Sequence, residues 1–418
     1  MLDLKYIREN KKVVQTALLK RMAAEDFDLE VLLDLDDKRR VIIGGLEALK
    51  AERNKNSKTK PTPSVIKEMK KIGDKIAKSE KELAKIEAEL QERLAALPNL
   101  PADDVPAGGK ENNEVIYTFG QKPKFAFTPK DHIELAKSSD LIDYERAAKM
   151  SGSGFWCYKG VGALLEWALL SYFIDFHQAN GYEFLLPPYL LTEKSAYTSG
   201  HLPKFRDDLF WTQDALCLNA TSEMMLGNYH RDEVLATDKL PLKYYAYSAC
   251  FRREAGSYRQ EERGMIRGHQ FNKVEMFAFC RPEDSWKLFD ELLNNAKRLV
   301  EGLGLHYQVS KLAAGDCSSA MAKTYDLEVW IPSMAVYKEV SSVSNALDYQ
   351  ARRGSTRFKE AGAEKTSFVH TLNASGLATS RLLPAILEQF QQVDGSVIIP
   401  PILKKYLPAG LEIIKAKN

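Results

Sequence analysis

In the first hundred residues, apolar positions recur at alternating steps of four and three. One tract runs through Leu35, Ile42, Leu46 and Leu49, with Arg39 and Arg53 on the same stripe. A second runs through Val65, Met69, Ile72, Ile76, Leu83, Ile86, Leu90 and Leu97, interrupted by Ser79 and Arg93. This is the a/d seam of a coiled coil in a background of Lys and Glu. Between the tracts, residues 54–64 (NKNSKTKPTPS) carry prolines and small polar residues that cannot continue a helix. Residues 29–97 are therefore predicted as an antiparallel helical hairpin, with a second helix ~50 Å long at ~1.5 Å per residue. An arm of that length is expected to project. Residues 1–28 are expected to form small helices at its base.

Pro98, Pro101 and Pro106 with Gly108 and Gly109 break this pattern and place a boundary near residue 105, giving units 1–105 and 106–418. Beyond it, strand-like alternation dominates. In 243–277, Tyr245, Tyr247, Ala249 and Phe251 share one face, while Ala246, Ser248, Cys250, Arg252 and Glu254 share the other. The aromatic face suits a core. A polar loop carrying Gly256, Ser257 and Gly264 follows, and the chain returns with Phe271, Lys273, Glu275 and Phe277 on one face. A long amphipathic helix is predicted over 162–179, then a strand ending in Pro187–Pro188. Residues 323–353 read as two strands and a turn. Sheet and helices together give an α+β fold.

Composition narrows the classes. The chain has 418 residues, 44% hydrophobic and 28% charged, with a net charge of +2, so bulk charge argues neither for nor against nucleic acid. Any RNA surface must be a local patch. The candidate patch is Lys50, Arg53, Lys55, Lys58 and Lys60 around the tip of the hairpin. Taken alone it reads first as a solvated helix face, ahead of an oligomerisation element or lysines placed on phosphates. Cys157, Cys217, Cys250, Cys280 and Cys317 lie far apart with no C-x-x-C, which suits reduced thiols in a cytosolic protein. The N-terminus lacks the apolar core of a signal peptide, and no run approaches the roughly 18 apolar residues of a membrane span. A cytoplasmic protein without a membrane partner is expected.

The chemistry concentrates in the 243–277 hairpin. An arginine fixed at the base of a long loop is a device for holding a polyanion, because a guanidinium fork matches phosphate and carboxylate oxygens alike. Thr221 and Glu223, two apart, point the same way on an extended segment and can bind an ammonium group. The string also reads as a cap before an apolar helical turn. Glu339 and Ser342 sit in a hydroxyl-rich stretch that, by itself, reads as an edge strand with a turn. Phe271 and Glu275, four apart on a strand, share a face, as a common site requires.

The strings FRREAGS and RGMIRGHQFNKVEM resemble motif 2 of the class II aminoacyl-tRNA synthetases, in the version of the seryl-tRNA synthetase family. TSGHLPKFRDDLFW is similar to a segment which that family carries ahead of its amino-acid pocket. The helix and proline-closed strand at 162–188 resemble motif 1, and HTLNASGLATSRLLP resembles motif 3. The resemblance implies an antiparallel class II sheet flanked by helices and an N-terminal coiled-coil arm that grips tRNA. It implies L-serine, ATP with Mg²⁺, tRNA(Ser), with tRNA(Sec) as a further candidate, and a homodimer. By resemblance, Arg252 contacts the α-phosphate and serine carboxylate, and Arg381 clamps the γ-phosphate. Arg253, Glu254, Arg267, Phe271, Glu339, Val340, Ser341 and Ser342 serve ATP, with Glu339 and Ser342 holding the metal. Thr221, Ser222, Glu223, Glu275, Asn373 and Ser375 form the serine pocket, with Glu275 on the hydroxyl. Motif 3 departs from the family pattern at Thr379 and Ser380, where Val and Gly are usual, and Val343 and Ala346 stand where cysteine is common. A sister ligase for another small amino acid and a catalytically silent RNA-binding relative are the rival readings.

Overall fold

The computed structural model describes residues 1–56, 62–255 and 264–417. The chain divides into two compact units, Met1–Leu100 and Pro101–Asn418. The division falls ahead of the expected position near 105 because the proline-rich stretch already packs on the second unit. The Ala102 amide bonds the Ala322 carbonyl, Ala314 bonds the carbonyl of Pro106, and Val105 is 2% exposed.

The first unit is helical: α1 Leu4–Glu9, α2 Lys11–Leu19, α3 Leu29–Asn56 and α4 Pro63–Ala96. Thr62 caps α4 by accepting from the Val65 amide at 3.3 Å, with Pro63 pre-set for the first turn. Lys50 pairs with Glu80 at 2.8 Å and Arg39 with Glu87 at 3.5 Å, so α3 and α4 run antiparallel. The expected seam is present: Leu46, Ile72 and Ile76 are buried, with Ile42, Leu49 and Leu83 packed against them. At the other end, Ile7, Val14 and Leu18 of the two short helices close over Leu32, Leu35, Leu90 and Leu94.

One buried charge sits inside this base. Asp36 is 1% exposed and is met by Arg8 at 2.8 Å, Arg39 at 2.9 Å and Arg40 at 2.9 Å. Burial alone disfavours the carboxylate, but the Arg8 hydrogen bond and the other two arginines outweigh it and hold its pKa below the ordinary range.

The second unit is built on an eight-stranded sheet. In chain order its main elements are β1 Glu114–Phe119, α5 Val161–Ala179, β2 Glu183–Leu185, α6 Glu223–Leu226, β3 Leu242–Phe251, β4 Gln270–Cys280, α7 Ser285–Gly302, β5 Tyr307–Lys311, β6 Lys323–Ile331, β7 Val336–Leu347, α8 Tyr349–Gly354, β8 His370–Ala378 and α9 Thr379–Gln389. The strand order is β1-β5-β6-β7-β8-β4-β3-β2, antiparallel throughout except for the parallel pair β2/β3. Alternation gives the sheet two unlike faces. Val274, Met276 and Ala278 of β4 turn toward a core shared with Leu165, Leu169 and Phe173 of α5, Leu292 and Leu299 of α7, and Leu383 and Ile386 of α9. The opposite face carries Lys273, Glu275, Asn373, Ser375 and Ser344, and it lines a cleft.

The β3 faces differ from expectation. Tyr245 is fully buried, but Tyr247 and Phe251 are only half-buried, whereas Ala246, Ser248 and Cys250 are each 0% exposed. Residues 219–226 lie over the small-residue face: Ser222 and Ser248 share a hydroxyl hydrogen bond of 2.7 Å, and Asn219 donates to Ser248 at 3.1 Å. The aromatic face runs out beneath α5, where the Tyr247 ring meets Trp167, itself 56% exposed. Leu164, Phe184 and Leu186 are likewise exposed, by 44%, 39% and 70%. Among the described residues, no helix is long and apolar enough to cross a membrane.

The Asp36 cluster yields a direct test. Asp36→Ala is expected to cost about 1–3 kcal/mol, since its partners are partly hydrated, and to raise amide exchange in α1 and α3 of the full chain. The contribution is present above the ordinary carboxylate range and is lost as acid protonates Asp36. Unchanged exchange in α1 and α3 would show that the cluster adds nothing.

Candidate active site

Strand register brings the polar face together. In the β3/β4 pair, Ala246 lies opposite Glu275, Ser248 opposite Lys273 and Cys250 opposite Phe271. In β8/β4, Ser375 lies opposite Glu275. Small side chains on β3 thus leave room above the larger functional ones on β4. The result is a cleft of about 510 Å³ lined by Thr221, Glu223, Arg252, Lys273, Glu275, Asn373 and Ser375, among others. A narrower recess holds Phe271, Val340, Ser380 and Arg381. The two share Arg252, Glu254, Arg267, Lys273, Glu339 and Ser375, so they form one crevice.

Glu275 is the most firmly held acid in it. It is 0% exposed, accepts from Asn373 Nδ2 at 3.0 Å and Ser375 Oγ at 3.3 Å, and is ion-paired to Lys273. A carboxylate offers about four acceptor positions, so one remains for a ligand donor. Asn373 Oδ1 has no hydrogen-bond partner among the described residues and is buried in the same wall.

Glu223 stands across from it. Burial, and then the charge of Glu275, push its pKa up to about 7, while Lys273, Gln350 and Arg252 pull the other way. Gln350 of α8 donates to its Oε1 at 2.7 Å. Thr221 and Glu223 do reach the same cleft, but not from an extended segment: Glu223 opens the short helix α6, and its amide bonds Thr221 Oγ1 at 3.3 Å. Helical geometry, the other reading of that string, is the one adopted.

The arginines converge from separate elements. Arg252, just past β3, lays its guanidinium 5.1 Å from the Phe271 ring centre and donates to the Ala220 carbonyl at 3.3 Å. Arg381 enters from the first turn of α9, donating to the carbonyls of Ile266 at 3.1 Å and Glu339 at 2.8 Å. Arg267 pairs with Glu254 at 2.5 Å, and Glu254 adopts φ +52°, a left-handed backbone uncommon for a non-glycine residue.

Glu339 and Ser342 are three apart, which on a regular strand would set them on opposite faces. A register shift between Leu327 and Glu328 inserts Val340 as an extra residue. That bulge lets Ser342 Oγ donate to Glu339 Oε1 at 2.9 Å. Asp326, opposite Ser342, is 8% exposed with Oδ1 unpartnered among the described residues; burial and Glu339 raise its pKa. Among the described residues, no cluster of three or more His, Cys, Asp or Glu side chains is placed to hold a metal by itself.

Three named residues lie outside the crevice. Ser222 is fully buried behind it, and Ser341 is buried with its hydroxyl on the Ser375 carbonyl at 2.6 Å. Arg253 is anchored through its amide to the Asp208 carbonyl at 2.8 Å and does not line the cavity. Both serines act as supports. Conversely, Lys273, Gln350 and His201 carry no role in the sequence reading. Lys273 shares the strand face of Phe271 and Glu275, a signal that was available. His201 lines the cleft as a neutral imidazole, its pKa lowered to about 3 by burial and then by Arg252 and Lys273. Nothing local marks Gln350, which arrives from a distant helix. In the first unit, Lys50 is tied to Glu80, Arg53 and Lys55 occupy the last turn of α3, and Lys58 and Lys60 fall outside the described residues.

Comparison with known proteins decides the family. Residues 1–101 match the seryl-tRNA synthetase N-terminal domain, and residues 205–390 match the class II tRNA synthetase core domain of the G, H, P, S and T enzymes. Serine–tRNA ligase 2 of Clostridium acetobutylicum is 53% identical over 97% of this chain and 99% of its own. The chain belongs to the seryl-tRNA synthetase family. The serine–tRNA ligase of Geobacter sulfurreducens is 44% identical over 99% of this chain and 100% of its own. Among solved structures, the Pyrococcus horikoshii seryl-tRNA synthetase complexed with ATP superposes with a TM-score of 0.93 at 33% identity, covering 100% of both chains. The class II fold and the paired helices of the N-terminal unit agree with the family assignment.

Both departures in motif 3 are accommodated. Ser380 is 8% exposed and faces the narrow recess. Thr379 is fully buried and donates to Glu166 Oε1 of α5 at 2.6 Å, the same oxygen that accepts from Asn272 Nδ2 at 2.7 Å. Asn272 sits on β4 between Phe271 and Lys273, so this contact secures the back of the site. Val343 and Ala346 are both 0% exposed. Thr379→Val removes one donor from a buried carboxylate and is expected to cost about 1–3 kcal/mol in urea unfolding; no loss would mean that Glu166 is satisfied without it.

Proposed function

We propose that this chain activates L-serine with ATP to seryl-adenylate and transfers the seryl group to the 3′ end of tRNA(Ser). Glu275 carries this reading: a buried carboxylate with one acceptor position left suits a substrate hydroxyl. Around it, Glu223 and Thr221 suit the α-ammonium, and Arg252 suits the carboxylate together with the α-phosphate. Phe271 provides a stacking face for adenine, with Glu254 at its amino edge, and Arg267 and Arg381 take the outer phosphates. Arg253, Val340 and Ser341 contribute backbone and packing.

The serine carboxylate attacks the α-phosphorus and pyrophosphate leaves. A terminal ribose hydroxyl of the tRNA then attacks the adenylate carbonyl, and AMP leaves. Neither step demands a protein base, because alignment and charge neutralisation lower the barrier. Arg252 for the α-phosphate and Arg267 and Arg381 for the outer phosphates would supply these. Glu339 and Ser342 offer oxygen donors only, beside the orphaned Asp326 oxygen, and this fits Mg²⁺, which favours one or two protein ligands alongside phosphates. Bound there, Mg²⁺ would neutralise phosphate charge.

Lys50, Arg53 and Lys55 of α3, with Lys58 and Lys60 next in sequence and outside the described residues, are the proposed phosphate contacts of the arm, on tRNA(Ser) and on tRNA(Sec), which is charged by the same chemistry. The exposed Leu164, Trp167, Phe184 and Leu186 are proposed as the face of a homodimer, and the cytoplasm as its compartment.

Glu275→Ala is expected to abolish serine-dependent ATP–pyrophosphate exchange with the fold intact by circular dichroism. The wild-type site should prefer serine over alanine by a factor that can exceed ~10⁴, because alanine leaves a buried acceptor unpaired. Exchange by Glu275→Ala at the wild-type rate would refute the assignment. Trp167→Glu combined with Leu186→Glu is expected to shift the light-scattering mass from the dimer to the 47.2 kDa chain. A variant that keeps the dimer mass would place the interface elsewhere.

A further inference from the structure

Lys273 has no part in the steps above, yet it is 5% exposed in the wall of the crevice. An ammonium so deeply placed gives up its hydration and persists only when it is paired. Its partners are specific: Nζ donates to Thr221 Oγ1 at 2.6 Å and is ion-paired to Glu275 Oε2. Asp208, Glu223, Glu254, Glu275 and Glu339 line this crevice, and the lysine is ion-paired to one of them, Glu275. Glu275 receives Lys273, Asn373 and Ser375, while the bond described for Glu223 is the neutral amide of Gln350. The other charged or titratable groups around Glu223 are Arg252, whose Nε is turned to the Ala220 carbonyl, and the imidazole of His201.

We infer that Lys273 is a positioning and specificity-determining residue that divides the work between the two acids. It holds Glu275 in place as the acceptor for the substrate hydroxyl. Glu223 is left as the acid that meets the ammonium and releases a proton to solvent as it does so. This rests on the serine reading above. The balance is simple: a carboxylic acid at Glu223 and an incoming ammonium become a carboxylate–ammonium pair plus one solvent proton. Thr221, bonded to the same Nζ, is fixed in the same act, so the ammonium and hydroxyl subsites are set by one side chain. The raised pKa of Glu223, about 7, places the proton release within the working range.

The wild-type chain tests the proton step first. Serine is titrated calorimetrically at pH 6.5, 7 and 8.5 in buffers of different ionisation enthalpy. Net proton release is expected near pH 7 and less of it at pH 8.5, where Glu223 is already charged. No release at any of these pH values would overturn the inference. The second test compares Lys273→Met, Lys273→Gln and Lys273→Arg in pyrophosphate exchange with serine and with alanine. Lys273→Met should raise the serine KM more than it lowers kcat and cut the serine/alanine ratio at least about tenfold. Its serine affinity should need a higher pH, because the charge that helps Glu223 ionise is gone. Lys273→Gln, which keeps a donor without the charge, should share the pH shift, and Lys273→Arg should recover part of both. A serine/alanine ratio and pH midpoint like wild type in Met and Gln variants would reduce Lys273 to an ordinary buried ion pair. Failure of the serine reading itself shows up separately, as a wild-type chain without serine-dependent exchange.

Discussion

A charged carboxylate in the middle of a β-sheet is tolerable only if nearly every lone pair is spoken for. Glu275 meets that condition on β4, with β8 supplying Asn373 and Ser375 and its own strand supplying Lys273. The sheet around it answers to the same demand. β4 must lie between β8 and β3, its neighbours must place donors or small residues opposite, and the other face must be apolar enough to hold three helices. A one-residue slip would turn Val274 and Met276 into the cleft and Glu275 into the helical core. Register, core and chemistry are thus one constraint.

The N-terminal unit shows the same physics with a different outcome. Asp36 is as deeply buried as Glu275, but three arginines converge on it and every partner belongs to the protein. Nothing is left for a ligand, so the cluster staples helices. In the crevice the fold pairs Glu275 with Lys273 but gives Glu223 the neutral amide of Gln350 as its described bond. The difference between a structural and a binding acid lies in how many donors the fold itself provides.

Much of this was legible in the chain. The four–three spacing of two tracts, through Leu46 in one and Ile72 and Ile76 in the other, announces the helical hairpin, and the alternation over 271–277 places Phe271, Lys273 and Glu275 on one face before any coordinates are known. What escaped was non-local. The alternation on β3 suggested an aromatic core face, but burial there is decided by residues 219–226 folding over Ser248, which no period in β3 reports. Gln350 reaches Glu223 from a helix 127 residues away in sequence. Ser222 and Ser341 have the right residue type and the wrong side of the wall. No local pattern marks Asp36, because its partners Arg8, Arg39 and Arg40 come from two helices.

Glu339 and Ser342 show how a strict reading of period can mislead where the chemistry is densest. Three residues apart, they belong on opposite faces, and only the extra residue at Val340 turns both toward the crevice. The bulge also hands the Glu339 carbonyl to Arg381, at 2.8 Å, so the same irregularity that aims an acid seats the arginine of α9. Arg381 in turn depends on the start of that helix, which Thr379 ties to Glu166 and hence to α5. A threonine where the family carries valine is therefore consistent with a working site: its hydroxyl is consumed by a buried acid on the far side of the sheet. The two faces that alternation keeps apart are joined at this point, and the geometry of the crevice rests on how firmly that junction is held.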